Sequence, residues 1–168
     1  MFDIGDLIIY SSHGICKIDD ICDKTVSGVT RKYYVLHPLE NNHDLTISTP
    51  VNNDQVLMKG LINKEEAFEI LETFNEPGMK WNNNANPRFN SFTKIVHSGN
   101  RKEIAKVVNT LMRKQIELEN SDKKLYQKDE TLLNDTQNIL FEELAIAIDT
   151  SYKQIHEMVL NKIQKAVK

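Results

Sequence analysis

The chain has 168 residues, 40% hydrophobic and 27% charged, with a formal net charge of −3. That is enough for one domain or two small ones, with the composition of an ordinary soluble globular protein. It offers no membrane span, since no apolar run approaches the roughly 18 to 20 residues one requires. The opening MFDIGDLIIYSSHG has no basic start before its apolar residues and no cleavage-like site, so no secretion signal is expected. Cys16 and Cys22 show no CxxC spacing, which points to two buried thiols in a reduced cytoplasm.

The first sixty residues read as β. Leu7–Tyr10 is a short apolar run closed by Ser11-Ser12-His13-Gly14, and Ile15–Ile18 follows, continued by Ile21 and Cys22. Ser27-Gly28 is a turn signal between Val26 and Val29. Lys32–Leu36 is rich in β-branched and aromatic residues and ends at Pro38. Leu45–Thr49 alternates before Pro50, and Gln55–Leu57 is a last short run. Five short strands with tight turns predict a small β-barrel over residues 1–59. So small a sheet buries little, so it must close on itself or lean on a neighbour.

Past Gly60 the period becomes helical, and residues 60–168 are predicted to form an all-α domain of five helices. The fold class is therefore α+β, with the boundary near Lys59–Asn63. Lys64–Phe74 places Ala67, Phe68, Ile70, Leu71 and Phe74 at helical spacing, with Glu65 and Glu66 suiting the helix dipole. Asn75–Gly78 stops it, and Asn82–Pro87 reads as irregular. Arg88–His97 is a second helix with Phe89, Phe92, Ile95 and Val96 inward, ended by Ser98-Gly99. Asn100 caps a third, with Glu103 at the capping-box position. Ser121 is expected to cap a fourth, whose stripe runs from Leu125 to Ala147. Asp149-Thr150-Ser151 breaks that helix, and Tyr152–Val167 makes a fifth.

Charge is uneven. Residues 1–59 hold five basic and eight acidic side chains, hence −3, which leaves the remainder neutral. Within it, Met79–Lys114 carries Lys80, Arg88, Lys94, Arg101, Lys102, Lys106, Arg113 and Lys114 against the single acid Glu103, a net of +7. The only tryptophan, Trp81, stands at its front, followed by asparagines. A lone tryptophan on a helical domain is commonly core, and a charge run is commonly a solvated face. Here Trp81 has polar neighbours and no periodic apolar partner within three residues. That pattern fits an aromatic held beside cations for stacking or wedging on nucleic acid, with phosphates on the basic face. Lys102, Lys106 and Arg113 fall together opposite the apolar stripe of the third helix.

Catalysis is not expected. The histidines His13, His37, His43, His97 and His156 are scattered, and no HExxH, GxSxG, P-loop or GxGxxG occurs. His13 before Gly14 reads as a turn residue. No cofactor and no metal site is predicted.

GDLIIYSSHGICKI, KTVSG, RKYYVL, DLTISTPVNN, Trp81, RFNSFTKIVHSGN, EIAKVV and ILFEELAIA together resemble the bacterial CarD/CdnL transcription regulators over nearly the whole chain, in order. The N-terminal part also resembles the polymerase-interacting module of the transcription-repair coupling factor. The resemblance implies a Tudor-like barrel that binds the RNA polymerase β subunit. It implies a helical domain on promoter DNA at the upstream edge of the −10 element, where the tryptophan wedges into the minor groove and slows bubble collapse. Trp81 matches that wedge, Arg88 and Phe89 match an Arg-Tyr pair, and Lys123 matches a basic residue near the fourth helix. Asn90 takes a place that is often basic. Lys80, Lys94, Lys102, Lys106, Arg113 and Lys114 complete the expected DNA set. Lys24, Thr46, Ile47, Ser48 and Pro50 form the expected polymerase set, Ser48 standing where some members carry arginine. A monomer, associated with the nucleoid through polymerase, is expected.

Three departures stand out. Members carry basic residues straight after the tryptophan, whereas asparagines follow Trp81. Arg88 is seven positions from Trp81 rather than about three. The stretch between SDKKLY and ILFEELA is longer by about two helical turns. Two other readings compete: a helical protein–protein adaptor whose basic face meets an acidic partner, and a general nucleic-acid binder without polymerase contact. The acidic N-terminal part argues for the bridging reading over the plain binder.

Overall fold

The computed structural model describes residues 1–40 and 44–166, so His43 and Val167 lie outside the described residues. The chain divides into two compact units, Met1–Leu61 and Ile62–Lys168.

The first unit is an antiparallel sheet of five strands, β1 (Leu7–Tyr10), β2 (Ile15–Val26), β3 (Val29–Pro38), β4 (Ile47–Pro50) and β5 (Met58–Gly60), in the order β4-β3-β2-β1-β5. β2 and β3 are the long pair, joined by Ser27-Gly28. Both turn residues have positive φ, 52° and 77°, the pattern of a two-residue turn whose twist suits a hairpin. A register shift between Ile18 and Asp20 lets one extra residue into β2, and Asp19 there sits 2.6 Å from His37 Nδ1. Ile8, Cys16, Ile18, Tyr34 and Leu36 make the small core. The sheet is open, because β4 and β5 end it on opposite sides and do not pair. The expected closure is therefore not seen in the strand ladder. The last strand also begins just after the apolar run Gln55–Leu57, not within it. Its position is set by pairing with β1, Tyr10 opposite Met58 and Ile8 opposite Gly60, which is a non-local constraint.

The second unit holds α1 (Lys64–Glu72), a 3-10 turn (Thr73–Asn75), α2 (Ala85–Ser98), α3 (Arg101–Glu119), α4 (Gln127–Ala147) and α5 (Tyr152–Ala166). Asn63 caps α1 by accepting from Glu66 N at 2.8 Å. Asn100 caps α3 as expected, accepting from Glu103 N at 3.2 Å. The Glu103 carboxylate does not complete the capping box but pairs with Lys106. Gly99, at φ 73°, ends α2 in the left-handed conformation that glycine adopts readily. α2 starts three residues earlier than expected, because Pro87 fits a first turn, where its missing N–H costs nothing.

Ala67, Ile70, Leu71 and Phe74 are buried, but Phe68 is 45% exposed, one position off that seam. Ser121 caps nothing. Residues 120–126 are a connection, with Asp122 in the left-handed region, and α4 begins at Gln127. Leu125 is buried as its spacing suggests, but from that connection rather than from a helix. Glu143 is 1% exposed and ties α4 to two neighbours. It accepts from Arg101 at 3.1 Å and 3.2 Å, and from the Ile62 backbone at 3.2 Å. Among the described residues no helix is long and apolar enough to cross a membrane.

Candidate nucleic-acid interface

Trp81 sits between the 3-10 turn and α2, and α3 builds its approach. Asn109 Nδ2 donates to the Glu76 carbonyl at 2.9 Å, and Arg113 Nη2 to the Phe74 carbonyl at 2.8 Å. The Met79 N–H donates to Thr110 Oγ1 at 2.8 Å. Gly78 lies flat on the helix at φ 88°. A Cβ there would stand 3.1 Å from Thr110 Oγ1 and 3.3 Å from its Cα. The backbone two residues before the indole is thus fixed to α3.

The indole itself is half-buried. It packs on the helical core, with its centroid 6.3 Å from that of Phe92. The Arg88 guanidinium carbon lies 4.3 Å from the ring centroid and Lys114 Nζ lies 5.2 Å away. Both are within cation–π range, which contributes about 1–2 kcal/mol where water is excluded. The expectation that Trp81 stands free on a polar loop is therefore corrected. Its partner is eleven residues on, across a turn, and local spacing cannot reveal it.

Arg88 is a second correction. It does not lie on a basic surface. Its side chain is 2% exposed, and it donates from Nε to Asp129 Oδ2 at 3.2 Å and from Nη2 to the same oxygen. Nη1 donates to the Asn82 carbonyl at 2.8 Å. Tyr126 is also near, its ring centroid 5.7 Å from the guanidinium carbon, and its side chain is among the exposed ones. Phe89, beside Arg88, is covered by Lys128 Nζ at 5.5 Å. Sequence reasoning singled out none of Asp129, Tyr126, Asn109 and Thr110. An arginine that must be buried needs a carboxylate, but nothing in the sequence distinguishes Asp129 from the other acids.

The net of +7 does not survive folding as a surface. Of the eight positive side chains in 79–114, five meet a carboxylate: Arg88 with Asp129, Arg101 with Glu143, Lys102 with Glu69, Lys106 with Glu103 and Lys114 with Glu117. Four of these acids lie outside the segment or on other helices, so counting charge along the chain overstates the local field. The hydrogen bond to Glu69, and then its charge, raise the Lys102 pKa. Arg113 is turned toward Asn109, at 2.8 Å, and the Phe74 carbonyl, and burial lowers its pKa. It therefore does not share a free face with Lys102 and Lys106. Lys80, Lys94, Asn90 and Lys123 are exposed, and none forms an ion pair among the described residues. Lys80 is the cation next to the indole in sequence, and Lys114 lies over its ring beyond the closer, buried Arg88.

In the sheet unit, Lys24 Nζ donates to Ser48 Oγ at 2.7 Å, bringing two of the predicted polymerase residues together. The bond runs over the face of β3, between β2 and β4. Ser48 is opposite Val35, and Pro50 is opposite Tyr33. Ile47 is turned the other way, onto the small core, and Thr46 lies exposed just before β4. β4 is an edge strand, so one row of its backbone groups faces outward. Cys16 is buried and its thiol is pushed up to about 11 by burial, while Cys22 is half-buried; both are free thiols.

Comparison with known families matches both units. Residues 2–62 match the CarD-like/TRCF RID domain, and residues 69–160 match the CarD C-terminal domain.

Proposed function

The chain belongs to the CarD/CdnL family of RNA-polymerase-interacting regulators, and from that premise we propose that it lengthens the life of the promoter open complex. Residues 1–59 act as a Tudor-like module that docks on the polymerase β subunit. The outward edge of β4 supplies backbone, and Lys24, Thr46, Ser48 and Pro50 supply side-chain contact. Ile47 contributes through its backbone, since its side chain packs inward. Residues 60–168 meet promoter DNA at the upstream edge of the −10 element. There Trp81 enters the minor groove, and Lys80, Lys114, Lys94, Lys123, Lys102 and Lys106 hold phosphates. Unstacking a base step costs a few kcal/mol, least where the duplex is already opening, so a wedge favours the melted promoter. The chain is a non-enzymatic monomer that reaches the nucleoid through polymerase. Tethering supplies effective concentration, so affinity for free DNA is weak.

The observation that carries this reading is the indole fixed from both sides, at Met79 and Asn82, with cations against its ring. The test is the lifetime of open complexes on one slow-melting promoter after competitor challenge. The wild-type chain prolongs it, and Trp81→Ala does not. Equal prolongation by Trp81→Ala overturns the wedge. Lys24→Glu is expected to lower capture of β subunit by the full chain several-fold, and unchanged capture overturns the docking surface.

A further inference from the structure

We infer that Asp129 is a positioning residue for Trp81, acting through Arg88. The inference rests on the reading of Trp81 as the group that meets DNA. It departs from the expectation that Arg88 grips a phosphate.

Arg88 and Asp129 are both 2% exposed at the side chain, on α2 and α4. One guanidinium does three things. It binds Asp129 Oδ2 through Nε and Nη2, it holds the Asn82 carbonyl at 2.8 Å through Nη1, and it lies 4.3 Å from the Trp81 ring centroid. α4 is thereby joined to the backbone immediately after the indole and to the indole itself. Asp129 Oδ1 is buried and accepts no hydrogen bond among the described residues. The carboxylate is therefore committed to the arginine alone.

A buried ion pair adds little net stability, because taking two charges out of water offsets their attraction. What it can do is fix a geometry, and a planar guanidinium with several donors suits that role. The downstream side of Trp81 needs such a device. Asn82, Asn83 and Asn84 are exposed, and among the described residues the one side-chain bond within the run is from Asn84 N to Asn82 Oδ1 at 2.9 Å. Thr110 fixes the upstream side. Arg88 fixes the downstream side, and Asp129 fixes Arg88. A ring that arrives already oriented loses less conformational freedom on binding than one that must be ordered.

Trp81 is the single tryptophan, so its fluorescence reports this site alone. The full chain is compared with Arg88→Met/Asp129→Leu, which replaces the pair by apolar groups, and with Asp129→Asn. The expected result is retained helical circular dichroism, acrylamide quenching of Trp81 raised about twofold as the loop loosens, and an open-complex lifetime shortened most of the way to that of Trp81→Ala. Unchanged quenching overturns the inference. So does raised quenching with an unshortened lifetime where Trp81→Ala does shorten it. Loss of helical signal in both variants also overturns it, because the pair would then be a general structural tie. Should Trp81→Ala itself leave the lifetime untouched, the wedge reading fails, and quenching still decides whether Asp129 positions the ring.

Discussion

Trp81→Ala separates three states of an indole by magnitude. A fully enclosed tryptophan costs about 3–5 kcal/mol on truncation to alanine. Trp81 is half-buried, packed on Phe92 with Arg88 and Lys114 within cation–π range of its ring. Roughly half the packing loss, together with the cation–π contact, gives about 2 kcal/mol. For a helical unit of this size that lowers the melting temperature by about 8 °C, read by far-UV circular dichroism, which the helices dominate. The same variant should lose the prolongation of open-complex lifetime. A shift of about 12–20 °C, matching the 3–5 kcal/mol of an enclosed ring, would mean that the ring is core and unavailable to DNA. No shift at all would mean that the contacts to Phe92 and Arg88 do not hold in solution. A modest shift with an unaltered lifetime would refute the wedge while leaving the fold intact.

Glu143→Gln should destabilise the helical unit by about 3 kcal/mol, because it strips a buried partner from Arg101; an unaltered melt would show that this pair behaves like a surface one. Cys16 has a folded-state pKa of about 11 against an ordinary 9.0, so the fold favours the protonated thiol. The stability linked to it is complete below about 9 and is lost as pH rises toward 11. Thermal melts across that range should fall, and a Cys16→Ala chain should lack that component. In the native protein an alkylating reagent should modify Cys22 well before Cys16, and equal rates would contradict the burial. Lys102→Glu with Lys106→Glu should weaken DNA association and flatten its salt dependence by about two units of log–log slope. An unchanged slope would return both lysines to a role confined to their pairs with Glu69 and Glu103.

Much of the architecture was legible because it is written locally. The Ser27-Gly28 turn, the Asn100 cap and the Gly99 stop are each set by the conformational preferences of one or two residues. The stripe Ala67, Ile70, Leu71 and Phe74 is set by helical spacing. What was not legible depends on residues far apart in the chain. β5 is placed by its register with β1, and the strand ladder stays open where closure was expected. At the site, proximity in sequence put Trp81, Arg88 and the lysines on one cationic surface. Folding then supplied Glu69 from α1 and Asp129 and Glu143 from α4, and turned Phe92 of α2 onto the ring. Arg88 changed meaning most, from a surface cation to a buried tie, because only the fold decides which carboxylate it meets.

The contact between Gly78 and Thr110 makes the two flanks of the tryptophan unequal in what they can tolerate. Upstream, a methyl group at position 78 would press on Thr110 and on a backbone at positive φ, so that side tolerates little change. Downstream, Asn83 and Asn84 carry no comparable contact, so residues added between them need not disturb the ring. Variation in the spacing from indole to arginine should therefore accumulate on the far side of Trp81, where this chain has its asparagines.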